Sequence, residues 1–224
     1  MKLLMKEFGF GKQNCVASCT AEKPWRKMME MLTMKVLTTF YRRMILFVYP
    51  LDGTIPVLES RLSVNITILT EEDLEAYHRY RPDRSLKEIR TRVARGDQCF
   101  ACWYEGRIVD AGWVAAGRVY IPYLRRHLVL GPVDIYNYEA YTLPAYRGLG
   151  LFMARNSYVA RYNQKERYLR SLALVAVENK ASRVILCKWG LRPIGLYTCL
   201  RFGPWQWDWH QTWGDEMLLS LSKT

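Results

Sequence analysis

Histidine is scarce: His78, His127 and His210 are the only three, far apart along the chain. Cysteine offers no framework either. Of the six, Cys15 and Cys19 alone have ligand-like spacing, and no matched second pair follows. Cys99 and Cys102 fall three apart in one predicted strand, which points them to opposite faces, and Cys187 and Cys199 stand singly. A metal site and a disulfide scaffold are therefore not expected. Long apolar runs are missing too. Lys2, Lys6, Glu7 and Lys12 interrupt the first apolar stretch, leaving no signal-peptide core, and Met44 to Leu51 is far too short for a membrane span. Unpaired cysteines without a secretory signal fit a reducing compartment, so a cytoplasmic location is the expectation. No internal repeat or low-complexity tract is evident.

What is there is a basic chain of 224 residues, half of them hydrophobic, with a formal net charge of +12. That length buries one good core and suits one domain with an extension. The charge suits nucleic acid, an acidic membrane surface or an anionic cofactor. It is spread along the chain rather than gathered in a tail, so a nucleic-acid partner is not expected.

Residues 1–60 read as an N-terminal extension and 61–224 as the main domain with a Trp-rich tail. Within the extension, Pro24 to Thr39 interleaves Trp25, Met28, Leu32 and Val36 with charges, the pattern of an amphipathic helix. Packing on the main domain is its first reading and a weak membrane-surface contact its second. Met44 to Tyr49 predicts a strand, with a turn and linker from Pro50 to Pro56. In the main domain Val64 to Leu69 alternates as a strand. Thr70, with Asp73, and Ser85, with Glu88, are helix N-caps, and Gly96-Asp97 closes the second helix. Cys99 to Tyr104 and Ile108 to Ala115, around Glu105-Gly106, form a hairpin. A strand from Asp134 to Thr142 follows, and Leu172 to Val177 has the composition of a buried parallel strand. In the tail, Trp205, Trp207 and Trp209 share a face if that stretch is a strand, either capping the core or forming an interface, with an aromatic ligand site as the lesser alternative.

The segment from Tyr141 to Arg155 carries the chemistry. It reads as an extended stretch, a turn with Gly148 and Gly150, and a helix, which together make a phosphate cradle. A nucleotide P-loop is excluded because Leu151 and Phe152, not Lys and Ser/Thr, follow Gly150. A dinucleotide fingerprint fails at Met153, where its third glycine would stand. Pro144-Ala145-Tyr146-Arg147-Gly148-Leu149-Gly150 instead resembles the pyrophosphate loop of the GNAT acyltransferase superfamily. Downstream, Asn179, Ser182, Lys188 and Gly190 match that family's second motif in register, with Leu191 for its usual Phe. The resemblance covers about Val64 to Arg201.

The resemblance implies an α/β (α+β) fold with a central mixed, mostly antiparallel sheet flanked by helices. It implies an N-acyltransferase that moves an acyl group, acetyl first, from acyl-CoA to a primary amine. It puts Ala140, Tyr141, Thr142 and Leu143 along the pantetheine and thioester, and the amides of Arg147, Gly148, Leu149, Gly150, Leu151 and Phe152 at the pyrophosphate. Asn179 and Ser182 fall to the pantetheine arm. Glu139 is the candidate base, in apolar surroundings if it faces the pocket, with Asp134 the alternative and Tyr138 as a relay. Two departures carry weight. Phe152 replaces a Gly or Ala, and Leu186 stands where the family's acid Tyr belongs, leaving Tyr197, Cys187 or water to protonate the thiolate. The alternative function is a non-catalytic module of this fold that binds CoA, an anionic surface or a protein. Acceptor and oligomeric state are not specified by the sequence.

Overall fold

The computed structural model describes residues 40–213 and the backbone of Leu221–Ser222. The amphipathic helix expected from Pro24 to Thr39, and Cys15 and Cys19, lie outside the described residues.

In chain order the elements are β1 (Tyr41–Pro50), β2 (Asn65–Ile68), α1 (Leu74–Tyr80), α2 (Leu86–Ala94), β3 (Gln98–Tyr104) and β4 (Arg107–Ala115). Then come β5 (Arg118–Ile121), β6 (Arg126–Val129), β7 (Asp134–Thr142), α3 (Leu151–Lys165), β8 (Arg170–Ala176), α4 (Lys180–Trp189), β9 (Arg192–Phe202), β10 (Trp205–Thr212) and β11 (Leu221–Ser222). The caps are where the side chains ask for them. Ser85 Oγ accepts the Glu88 N–H, and Thr70 with Asp73 forms a capping box on the 3-10 turn that leads into α1.

Eight strands form one sheet in the order β10-β9-β1-β8-β7-β4-β3-β2. Every neighbouring pair is antiparallel except β7 and β8. The sheet is thus mixed and mostly antiparallel, with helices on both faces. β1 is buried on both faces from Met44 to Val48, which demands an interior place, and it lies between β8 and β9. The sheet therefore takes in residues 41–50, upstream of the expected boundary at residue 61.

Alternation along β1 separates two layers of core. Met44, Leu46 and Val48 face the small β5–β6 hairpin, whose Val119, Ile121 and Leu128 complete that cluster. Ile45 and Phe47 face α3 and α4 through Val159, Ala160, Leu186 and Trp189. α1 and α2 cover β3 and β4 on the hairpin side, around Trp113. The β5–β6 hairpin, which pairs with β11, was not anticipated from the sequence; its strands are four residues each, too short to declare a period.

β10 forms the edge of the sheet, and the tail tryptophans do alternate. Trp205, Trp207 and Trp209 lie on one face at 62%, 52% and 46% exposure, so they do not cap the core. The intervening side chains turn inward: Gln206 donates to the Leu124 carbonyl and Asp208 pairs with Arg126.

Candidate active site

The candidate site lies at the parallel pair of the sheet. β7 and β8 are in register only from Asp134–Arg170 to Tyr136–Leu172 and then diverge. Asn137 Nδ2 ties the vertex to Ser171 Oγ at 2.6 Å. The opening is a cleft of about 980 Å³, the top of the range usual for small-molecule sites. It runs from that vertex to the turn before α3, and Ala173, Val175, Asn179, Ser182 and Leu186 form its β8–α4 wall.

The loop at its open end has the expected shape. A 3-10 turn over Pro144–Tyr146 leads to Gly148 and Gly150, at φ +80° and +83°. A Cβ at Gly148 would meet nothing within 4 Å, so the glycine is required by backbone conformation rather than by crowding. Gly150 is the α3 N-cap; no side chain caps that end and no acid lies in its first turn. The positive end of the helix dipole is thus left to an anion. Arg147 lines the cleft beside it; its Nε donates to the Thr142 carbonyl at 3.2 Å, and its guanidinium lies over the Tyr141 ring.

Most of the expected binding residues border this cleft: Tyr141, Thr142, Arg147, Gly148, Gly150, Leu151, Phe152, Asn179 and Ser182. Leu143 and Leu149 do not. Their side chains pack into the small core around Val109 and Leu151. Asn179 has a structural duty as well, since its Oδ1 accepts the Ser182 N–H at 3.1 Å and so N-caps α4.

The expected catalytic residues fare differently. Glu139 borders the cleft, at a bulge where Glu139 and Ala140 stand opposite Gly112 alone. Its φ of +52° is rare for a residue with a side chain, and it is one source of the local distortion. The apolar surroundings expected for its carboxylate are absent. Arg84 and Arg92 bind it directly, and Arg81 stands at 3.7 Å. Asp134 is fully buried, held by Arg170 at 2.7 and 2.9 Å and by the Gly131 N–H at 3.0 Å. It begins β7, eight residues and about 26 Å of strand before Thr142, and does not border the cleft. Tyr197 does not border it either; strand alternation turns it into the hairpin-side core, where burial raises its pKa. Cys187 is exposed on α4.

Two further functional candidates stand out, Tyr138, which the sequence offered only as a relay, and Arg155, which it did not single out. Tyr138 borders the cleft and donates to Asp97 Oδ2 at 2.5 Å. Burial, and then that hydrogen bond, raise its pKa, so the phenol keeps its proton. Arg155 is the second. From the second turn of α3 its Nε donates to Asp110 Oδ2 at 2.5 Å, and Thr142 Oγ1 donates to Asp110 Oδ1 at 2.5 Å. This buried cluster joins the loop helix to the strands on either side of the bulge. Gly112 makes room for it, since a Cβ there would collide with the Arg155 guanidinium. The signal was present: Asp110, amid Ile108, Val109 and Ala111 in a strand buried on both faces, requires a cation.

No protein-family model and no curated protein sequence matches the chain. Solved structures do. A GCN5-related N-acetyltransferase from Sphaerobacter thermophilus aligns with a TM-score of 0.52 at 12% identity, over 75% of this chain and 55% of that one. A GNAT-family protein from Novosphingobium aromaticivorans aligns at 0.50 and 15% identity, over 70% and 62%. A conserved protein of unknown function from Staphylococcus epidermidis aligns at 0.50 and 10% identity, over 80% and 67%. The chain thus spans less than two thirds of the first two. Splayed parallel strands, a glycine cradle at a helix start and these alignments agree: the chain has the fold of the GNAT acetyltransferases.

Proposed function

We propose that this protein transfers an acyl group from acyl-CoA to a primary amine. The observation that carries the reading is the uncapped α3 N-terminus, with its two left-handed glycines and Arg147, at the open end of an apolar cleft. A pyrophosphate fits the first and a slender, mostly uncharged arm fits the second.

The chemistry asks for positioning and for charge stabilisation. The amine nitrogen attacks the thioester carbonyl, a C–N bond forms, the C–S bond breaks, the nitrogen loses a proton and the thiolate gains one. A β-bulge leaves a residue out of the ladder. At Glu139–Ala140 it would turn a backbone N–H into the splay, towards the carbonyl oxygen as negative charge grows there. The Arg155–Asp110–Thr142 cluster holds that strand segment in place, and the loop fixes the other end of the donor. Glu139, engaged by arginines, serves in this reading as the anchor of the bulge; Tyr138, a protonated phenol on the cleft wall, is the side chain placed to pass a proton.

One observation favours a second reading, a non-catalytic CoA-binding module: Leu186, at the position of the family's tyrosine, borders the cleft as hydrocarbon. An amine panel separates the two. Incubation with acetyl-CoA and small amines, amino sugars, peptides and lysine-bearing proteins should release free CoA thiol with at least one acceptor. Binding of CoA without release from any acceptor would favour the module.

A further inference from the structure

The cleft continues past the bulge. Towards the Asn137–Ser171 tie its wall is mostly hydrocarbon, with Val159 and Ala160 from α3, Ala173 from β8, Trp189 at the end of α4 and Leu191 just after it, and with the Tyr138 ring on the β7 side. The first five belong to the core, yet each borders open volume. Two are alanines, which leave the space that larger residues would fill. Asn137 lies three residues before Ala140, about 10 Å at the usual strand rise. Every charged residue that borders the cleft, Glu139, Arg147 and Arg155, lies at the bulge or on its loop side.

A linear donor held by its phosphates at the α3 N-terminus extends along the splay in one direction only, towards the vertex. Whatever is attached beyond its reactive carbonyl enters the hydrocarbon end. An acetyl methyl occupies only a small part of it. A polar acceptor gains nothing there and would lose its hydration.

We propose that this apolar end is an acyl-chain subsite, and that the preferred donor carries a medium-length saturated acyl chain rather than acetyl. Ala160 and Ala173 set the chain length. The inference rests on the acyl-CoA reading above.

Calorimetric titration of the full chain with CoA, acetyl-CoA, butyryl-CoA, hexanoyl-CoA and octanoyl-CoA tests it without needing the acceptor. Affinity should rise along the series, with hexanoyl-CoA on the order of tenfold or more tighter than acetyl-CoA, from burial of the added methylenes. Ala160→Leu should erase that advantage while leaving acetyl-CoA affinity within about twofold. Ala173→Leu, from the opposite wall, gives the same readout if Ala160→Leu does not fold, as judged by thermal melting. Equal or weaker binding of hexanoyl-CoA relative to acetyl-CoA would overturn the subsite and leave the donor reading standing. So would a variant that weakens both donors in parallel. Binding of none of the thioesters would overturn the donor reading itself, and the subsite with it.

Discussion

At Glu139 one carboxylate faces three guanidiniums, and the side chain is about 15% exposed. Such a group is costly to remove, because the cations it neutralises stay behind. Glu139→Gln should lower unfolding free energy by roughly 2–4 kcal/mol, measured by urea denaturation, and leave the pH dependence of thioester turnover in place. A variant of native stability that has lost the acidic limb of the pH–rate profile would instead make Glu139 the base. Arg155 poses the same question more sharply. Its partner Asp110 is wholly buried, so Arg155→Leu strands a carboxylate in the core. The expected loss is about 3–5 kcal/mol, with part of it recovered in the double variant Arg155→Leu/Asp110→Asn. A single variant within about 1 kcal/mol of the parent would show that the pair does not hold the bulge.

The elements differ in how openly the sequence announces them. Ser85, with Glu88 three residues on, caps α2 because both groups lie within one turn, and no distant residue has a say. Ser85→Ala should cost about 1 kcal/mol in chemical denaturation; no change would mean that packing of α2 alone sets its start. The β3–β4 hairpin, the β7 strand and the α3 start were legible for the same reason: alternation, a Glu-Gly turn and paired glycines are local signals. β1 was legible as a strand but not as the neighbour of β8 and β9, because strand order depends on contacts more than a hundred residues away in sequence. The surroundings of Glu139 were hidden likewise. Arg92 lies on α2 and Arg84 in the connection before it, and nothing near position 139 names them. Tyr197 was misplaced by parity, since a motif says which strand a residue occupies but not which face it takes.

For the whole molecule, the decisive feature is the short reach of the parallel pairing. Three registered residue pairs hold β7 to β8, and the remainder of each strand opens as cleft wall. The glycine cradle lies at the open end, where the helix dipole receives an anion, and the chain's formal net charge of +12 favours anionic ligands in general. A ligand that binds only the folded chain raises its melting temperature by mass action, and acetyl-CoA at a hundredfold over its dissociation constant should add about 2.7 kcal/mol. A thermal scan with no shift at saturating ligand would argue against selective binding to the native state.

The most direct test of the account is a pair of calorimetric titrations with acetyl-CoA, one on the parent chain and one on Gly150→Asp. The aspartate would add strain at a backbone φ of +83° and a negative charge at the helix N-terminus, where the phosphates should lie. The account predicts one-to-one binding to the parent and a loss of at least about tenfold in affinity for the folded variant. Absence of binding to the parent, or equal affinity in the two, would contradict it.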